Sequence, residues 1–500
     1  MPEGSSPATL GAFFGYLALV VAIGLYATRF SSSGISEFFL GGRRMHRFVV
    51  ALSAVVSGRS AWLLLGVTGL AWSRGISAVW AVVGYIVAEL FLFLFYARRL
   101  RRFSGAYDCV TLPDFFAIRF GDRDGKLRVL LVVVILVFMV SYVAAQFVAG
   151  GKAFSASFGL SQTGGVWLTA AIVLAYTVLG GFLAVSLTDM LQAFFMLAGL
   201  TLLPVMAIAD RGGLGVIVAE LVALDPALID PFALELGVLA GFLGIGLGSP
   251  GNPHILVRYM SIEDPDQLRV SAVVGTTWNV LMAWGAVVVG LAGRVWFPSL
   301  GELPGADREN LYPALAELHL PPVLTGVVIA SIFAAIMSTA DSQLLVAASS
   351  VVRDLYEKVL CRRREIPGRR LVVLSRLVVV LLVAASLVLG LLASDIIFWL
   401  VLFAWAGLGA ALGPTSILAL YWRGATRWGV AAGFVTGTVV TIIWKSVDAL
   451  AGTVYELIPA FLAAGLATVV VSRWTSQPPG VEEMFRIMDG ATTPQAEEGR

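Results

Sequence analysis

The stretch SGRSAWLLLG, residues 57–66, sets an arginine inside a run that is otherwise apolar from about Val49 to Trp72. Ten residues into that run, Arg59 lies roughly 15 Å deep at about 1.5 Å per residue. A hydrocarbon layer is about 30 Å thick, so this is near mid-depth. A second stretch, SIFAAIMSTADSQLLVAASS (residues 331–350), brings Ala335, Ser338, Thr339 and Ser342 onto one helical face with Asp341 beside them. Small residues and hydroxyls alone serve close helix packing. A carboxylate among them costs about 2.5–3.5 kcal/mol on insertion scales and marks a functional candidate. Hard oxygens next to a carboxylate suit a small cation. Asp189, one turn inside another apolar run, and Glu89 are two further buried acids, for which snorkelling and a structural ion pair are the plain alternatives. A third stretch, GFLGIGLGSPGNPH (residues 241–254), is rich in glycine and holds two prolines. Such a helix breaks, and broken backbone at membrane depth survives only where it lines a cavity or is buried in protein. His254 lies beyond the break and reads as a loop residue near the cytosolic face.

These residues must be positioned by transmembrane helices. The chain has 500 residues, 58% of them hydrophobic and 13% charged, with a mean hydropathy of +0.89. That describes an all-α polytopic membrane protein, not a soluble one. Apolar runs of about 20 residues give thirteen spans: 8–28, 49–73, 77–97, 128–150, 164–184, 186–209, 236–255, 271–293, 322–349, 371–393, 396–420, 427–447 and 453–473. Lys and Arg crowd the loops that become cytosolic when the N-terminus is outside. Only Arg74, Lys152, Arg211, Arg294, Arg308 and Lys445 then fall on the outer side, and Arg59 is the basic residue that stands near the middle of a span. The C-terminus is therefore expected inside, in the cytoplasmic (inner) membrane. No cleavable leader is read, because the basic residues follow the first apolar run. Cys109 and Cys361 fall in cytosolic loops and are expected as free thiols. The loop between spans 8 and 9 is external with a short helix, and the tail after Pro478 is polar and partly disordered.

Several stretches resemble the sodium/solute symporter family, above all its sodium/proline branch: FFLGGRRM, ALSAVVSGRSAWLLLG, TLPDFF, GGFLAVSLTDMLQAFFM, NPHILVRYM, AAIMSTADSQLLVAASSVVRDLY and FAWAGLGAALGPTSILALYW. The resemblance implies a LeuT-like core of two five-helix repeats, inverted in the membrane. Here these are 49–209 and 236–420, preceded by an extra helix and loop (1–48) and followed by two helices (427–473) and a tail (474–500). Spans 2 and 7 would be the discontinuous helices. The family's cation site maps onto the carbonyls of Val56, Arg59 and Ala335 and the hydroxyls of Ser338 and Thr339. A second ion site found in some members maps onto Asp189, with Ser342 and Asp341 nearby. Solute would lie near Ser57, Gly58, Arg59, Ser60, Tyr142, Ser249 and Asn252. Two departures matter. The branch has an aspartate where Gly58 stands and a methionine where Arg59 stands, and aromatic solute-binding residues where Ile245 and Ser249 stand. The first puts sodium affinity in question; the second argues against proline as solute.

Two unit charges about 4 Å apart repel by about 4 kcal/mol at an effective dielectric of 20, some three decades of affinity. Arg59 and a sodium ion therefore exclude each other unless the guanidinium is placed elsewhere. Three arrangements follow. It occupies the ion site, held by Ser338, Thr339 and Asp341; it grips a solute carboxylate in a two-pronged contact; or it pairs with Glu89 or Asp341 for structure.

The reading is a secondary active transporter of a small organic solute, carboxylate-bearing, such as an amino acid or monocarboxylate, working by alternating access. It is not an enzyme: no nucleophile–base pair appears, and no GxxxxGK[ST] motif points to ATP. No cofactor is expected beyond a coupling sodium ion. The partners are solute and lipid, not nucleic acid. A sodium-independent or proton-coupled carrier, and a membrane sensor built on a transporter-like body, are the alternatives.

Overall fold

The structure is a computed structural model that describes residues 6–27, 34–178, 180–362, 366–392 and 397–490; Arg29 and the last ten residues of the tail lie outside it. Each of the thirteen expected stretches carries helix. Among the described residues, nine helical runs are long and apolar enough to cross a membrane. The elements that build the site are α1 (Pro7–Ala27), α2 (Arg47–Ser57), α3 (Thr68–Arg74), α4 (Val79–Phe91), α5 (Lys126–Phe158), α6 (Gln162–Thr177) and α7 (Phe182–Asp210). They continue with α8 (Leu236–Gly244), α9 (Pro253–Ser261), α10 (Leu268–Trp296), α11 (Pro322–Ser349), α12 (Gly368–Leu392), α13 (Ile397–Tyr421), α14 (Arg427–Ser446), α15 (Leu457–Arg473) and α16 (Val481–Asp489).

Both expected interruptions are present. The first run stops at Ser57, turns through Gly58 and Arg59, and resumes in a widened helical turn, Trp62–Val67, ahead of α3. Ser60 there takes a left-handed φ of 48°, a conformation that side-chain-bearing residues rarely hold without surrounding support. The second run passes from α8 through a tight 3-10 stretch, Ile245–Gly251, to an extended Asn252, and α9 restarts on Pro253. Proline at a first helical position surrenders an N–H that would be unpaired anyway. Gly248 lets α13 approach: a Cβ there would stand 1.9 Å from Trp405 Nε1, the nitrogen that donates to the Ile245 carbonyl at 2.8 Å.

α11 is buried almost throughout and packs against α1, α5 and α7. Ion clusters tie the two ends of the bundle. At one, Lys152 of α5 bonds Asp307 (2.8 Å) and Glu309 (2.6 Å), and Glu309 also receives the N–H groups of Ile397 and Phe398. At the other, Arg128 of α5 contacts Asp114 at 2.7 Å and also Asp354, and Thr111 donates to Asp354 at 3.0 Å.

Three details differ from the sequence reading. The tail is not irregular up to residue 490: α16 folds, burying Phe485 and Met488, and joins the segment Ala97–Ala106 through Arg99–Asp489 and through Arg102 donating to the Met488 carbonyl. An apolar helix, Leu214–Leu224, follows α7 where only a loop was expected. The loop after α10 holds several short turns as well as one helix, Leu311–His319. Cys109 and Cys361 are free thiols.

Candidate functional site

The two interruptions face each other in the middle of the bundle. Ser57, Arg59, Ser60 and Asn252 have no exposed surface, and Tyr142 and Ser249 are 1% exposed. Tyr142 of α5 reaches over the first break and donates to Ser60 Oγ at 3.5 Å. Its ring stands edge-on to His254 with centroids 6.2 Å apart. Asn252 turns its amide back onto the Gly248 carbonyl at 2.8 Å, leaving its Oδ1 and the hydroxyl of Ser249 without partners among the described residues.

Hydroxyls of α11 meet backbone carbonyls at the end of α2. Ser338 Oγ lies 3.4 Å from the Val56 carbonyl and 3.2 Å from that of Ala335. Thr339 donates to the Ser57 carbonyl at 3.0 Å. The Arg59 carbonyl takes part in a helical bond from Leu63 N–H at 3.2 Å. At the end of α2 the Val56 carbonyl accepts from Arg59 N–H at 3.1 Å in a tightened last turn, and α11 hydroxyls meet the Val56 and Ser57 carbonyls there.

The guanidinium of Arg59 is not among these oxygens. It lies on the face of Tyr85 of α4, its carbon 3.7 Å from the ring centroid. Nε, Nη1 and Nη2 have no hydrogen-bond partner among the described residues. Glu89, one turn along α4, acts on it electrostatically but closes no ion pair with it; Glu89 is held through Oε2 by Asn279 of α10, and its Oε1 is unpartnered. Occupation of the ion site by Arg59, through Ser338, Thr339 and Asp341, is therefore not the arrangement seen. Gly58 makes the stacking geometry possible: a Cβ on it would meet Tyr85 Oη at 2.1 Å.

A different arginine lies with the acids. Arg258 of α9, 1% exposed, donates through Nη2 to Asp189 Oδ2 at 3.1 Å and to Ser342. Its Nε donates to Ser53 Oγ at 3.0 Å, and its Nη1 to the His254 carbonyl. Ser53 donates to the same Asp189 oxygen at 2.6 Å, and Ser57 at 3.3 Å. Asp341 stands beside them, receiving the Tyr176 hydroxyl at 2.6 Å and lying 3.0 Å from Ser342 Oγ. Ser57 thus faces Asp189 and Ser342 rather than the space beside Asn252. Two expectations are corrected here. Arg59 is not the sole basic residue of the interior, and His254 is fully buried, not a loop residue. Hydropathy ended span 7 at residue 255 and left Arg258 in the cytosol. The available signal was the break itself: a helix restarted on Pro253 needs about two turns to reach the surface, and Arg258 lies within them.

Comparison with known proteins agrees with this architecture. The Sodium:solute symporter family matches residues 38–437. The high-affinity proline transporter PutP of Bacillus subtilis is 38% identical over 462 residues, covering 92% of this chain and 96% of that protein. The osmoregulated proline transporter OpuE of the same organism is 36% identical, covering 95% and 96%. Sodium/proline symporter 2 of Staphylococcus saprophyticus is 37% identical, covering 93% and 92%. Among solved structures, a Na+-coupled sialic acid symporter in a substrate-bound outward-open state superimposes with a TM-score of 0.80 at 18% identity, covering 94% of this chain and 99% of that one. Mhp1, a nucleobase-cation-symport-1 family transporter, gives 0.56 at 14% identity, covering 92% and 98%. The fold is LeuT-like, and the relatives are transporters, not enzymes.

Proposed function

Because the chain belongs to the sodium:solute symporter family, a family of secondary active symporters, we propose that its solute is small and carboxylate-bearing, and that Arg59 receives the carboxylate. One observation carries this reading: a fully buried guanidinium whose three nitrogens are all unpartnered. Five N–H donors without acceptors in a dry interior are costly. A planar carboxylate supplies the two parallel bonds that such a fork lacks. Tyr85, stacked beneath, holds the cation without neutralising it. Proline, the solute named for the Bacillus relatives, falls in this class; Ile245 and Ser249 favour a different member of it.

Sodium is the proposed coupling ion. The family resemblance maps its site onto the carbonyls of Val56, Arg59 and Ala335 and the hydroxyls of Ser338 and Thr339, hard oxygens of the kind that suit it; of these, Ser338 lies 3.4 Å from the Val56 carbonyl and 3.2 Å from that of Ala335. The guanidinium lies against Tyr85, not against those hydroxyls, which relieves the repulsion that the sequence raised. Asp189, Asp341 and Ser342 belong to a second cation position. Repeats 49–209 and 236–420 rock against each other around the two breaks, with the N-terminus outside and the C-terminus inside.

The test is thermal stabilisation of purified protein by amino acids, monocarboxylates and neutral isosteres, in sodium and in choline, followed by uptake in proteoliposomes. Arg59→Met is expected to weaken carboxylate binding about 100-fold, since a charge-assisted bidentate contact contributes about 3 kcal/mol. A ligand whose affinity is unchanged in Arg59→Met, or a preference for neutral solutes, would refute the carboxylate assignment.

A further inference from the structure

We infer that Arg258 is a tethered stand-in for a coupling cation: its guanidinium and an incoming sodium ion compete for Asp189, and the exchange frees α9 from the bundle. This rests on the sodium-coupled reading above and goes beyond it by assigning the residue that senses the ion.

The observations are geometric. Arg258 is the guanidinium in ion-pair contact with Asp189. It spans four helices, from α9 to Ser53 on α2, Asp189 on α7 and Ser342 on α11. Nε, Nη1 and Nη2 are all engaged, so it is fixed in one pose. The cluster nevertheless retains acceptor capacity. Arg258 is ion-paired with Asp189 while a second buried carboxylate, Asp341, stands beside it on Ser342, and among the described residues Asp189 Oδ1 has no partner. Ser57 Oγ already lies 3.3 Å from Asp189 Oδ2 and 3.3 Å from Ser342 Oγ. Those oxygens are what a small hard cation uses. Arg258 meets two of them, Asp189 Oδ2 and Ser342 Oγ, with N–H donors, so a sodium ion and the guanidinium cannot both hold them.

The consequence is mechanical. Arg258 stands on α9, immediately beyond the second break, and its contacts bind that half-helix to α2, α7 and α11. A cation arriving at Asp189 replaces the side chain's role toward the carboxylate and removes the tie. An extended hinge at Asn252, with φ −98° and ψ 101°, already separates α9 from the preceding turn. Ion occupancy thereby becomes freedom of the segment that closes the inner side of the chamber.

Arg258→Met, Arg258→Lys and Asp189→Asn are compared by sodium titration of intrinsic tryptophan fluorescence and of thermal stability, without solute, in detergent-purified full-length protein. Arg258→Met is expected to be unstable in choline, to be rescued by sodium, and to bind sodium about tenfold more tightly than wild type. Arg258→Lys, which keeps the charge and loses the fork, is expected to lie between them and covers the case in which the Met variant fails to fold. Arg258→Met with Asp189→Asn is expected to lose the gain. Unchanged or weaker sodium affinity in both Arg258 variants, with wild type responding to sodium, overturns the inference while leaving sodium coupling intact. No sodium response in any variant overturns both. Solute binding by Arg59 is read separately and is untouched by either result.

Discussion

The molecule buries two arginines beside its two broken helices and treats them in opposite ways. Arg258 has every nitrogen engaged and a carboxylate in direct contact. Arg59 has none engaged and an aromatic face for a neighbour. A buried charge that is fully bonded is part of the scaffold, and removing its partner is what costs. A buried charge that is unbonded is a deficit, and the proposed function assigns the solute carboxylate to it. Under the two proposals above, the same side chain, a few residues from equivalent interruptions, serves as a latch in one case and a receptor in the other.

The largest effect that separates the two is in stability without solute. Asp189→Asn leaves Arg258 with hydroxyls and a carbonyl but no anion, and is expected to cost about 3–5 kcal/mol. Arg59→Met removes a charge that nothing neutralises, and is expected to leave the melting temperature unchanged or raised. Thermal unfolding of the two variants side by side measures this. Equal destabilisation by both would erase the distinction.

A smaller effect sharpens the account of Arg59. Gly58→Ala places a methyl 2.1 Å from Tyr85 Oη and 3.0 Å from Ile255 Cδ1. The tyrosine must shift off the guanidinium, at about 1–3 kcal/mol. In Tyr85→Phe the nearest ring carbon stands 3.4 Å from the added methyl, an ordinary contact. The double variant Gly58→Ala with Tyr85→Phe is therefore expected to recover stability and solute affinity that Gly58→Ala alone loses. Without that recovery, Gly58 is not there to admit Tyr85. The same geometry means that an aspartate at position 58 cannot be introduced without moving Tyr85.

Much of this was legible in the sequence, for identifiable reasons. Apolar run length located the helices because backbone groups in lipid have no other partners. Glycine and proline located both breaks. The α11 hydroxyls stood out because helical spacing puts Ala335, Ser338, Thr339 and Ser342 on one face beside Asp341, while their pairing with carbonyls of span 2 was implied by the family resemblance. The direction of a side chain was not legible. Arg59, Ser57 and Asp189 each had several neighbours in reach, and only the packing of α4 against the first break turns Arg59 onto Tyr85. Arg258 was misplaced because hydropathy averages over a window, and nine residues after a break are too few to register as membrane. The tail helix escaped for a similar reason: α16 is polar on average and gains its buried face only from the segment it docks on.

The least expected effect extends the comparison to the rim, where satisfied guanidinia lie near water. Asp114 lies in the first turn of a short helix, Leu112–Arg119, capped by Thr111, and stands between Arg128 at 2.7 Å and Arg353 at 3.5 Å. Burial acts to raise its pKa, but the two guanidinia and the Val110 N–H outweigh burial and hold it below the usual aspartate range. With the folded value depressed, the stabilisation is present above about pH 3.9 and is lost as pH falls through the folded value. Asp114→Asn should abolish that acid-side loss and cost less at neutral pH than Asp189→Asn does. The cost stays small because each guanidinium keeps a second carboxylate, Arg128 with Asp354 and Arg353 with Glu357 at 2.6 Å. Unfolding followed from pH 7 downward in wild type and Asp114→Asn checks it. A penalty as large as that of Asp189→Asn would mean that depth in the bilayer, not the number of remaining partners, decides what a buried arginine is worth.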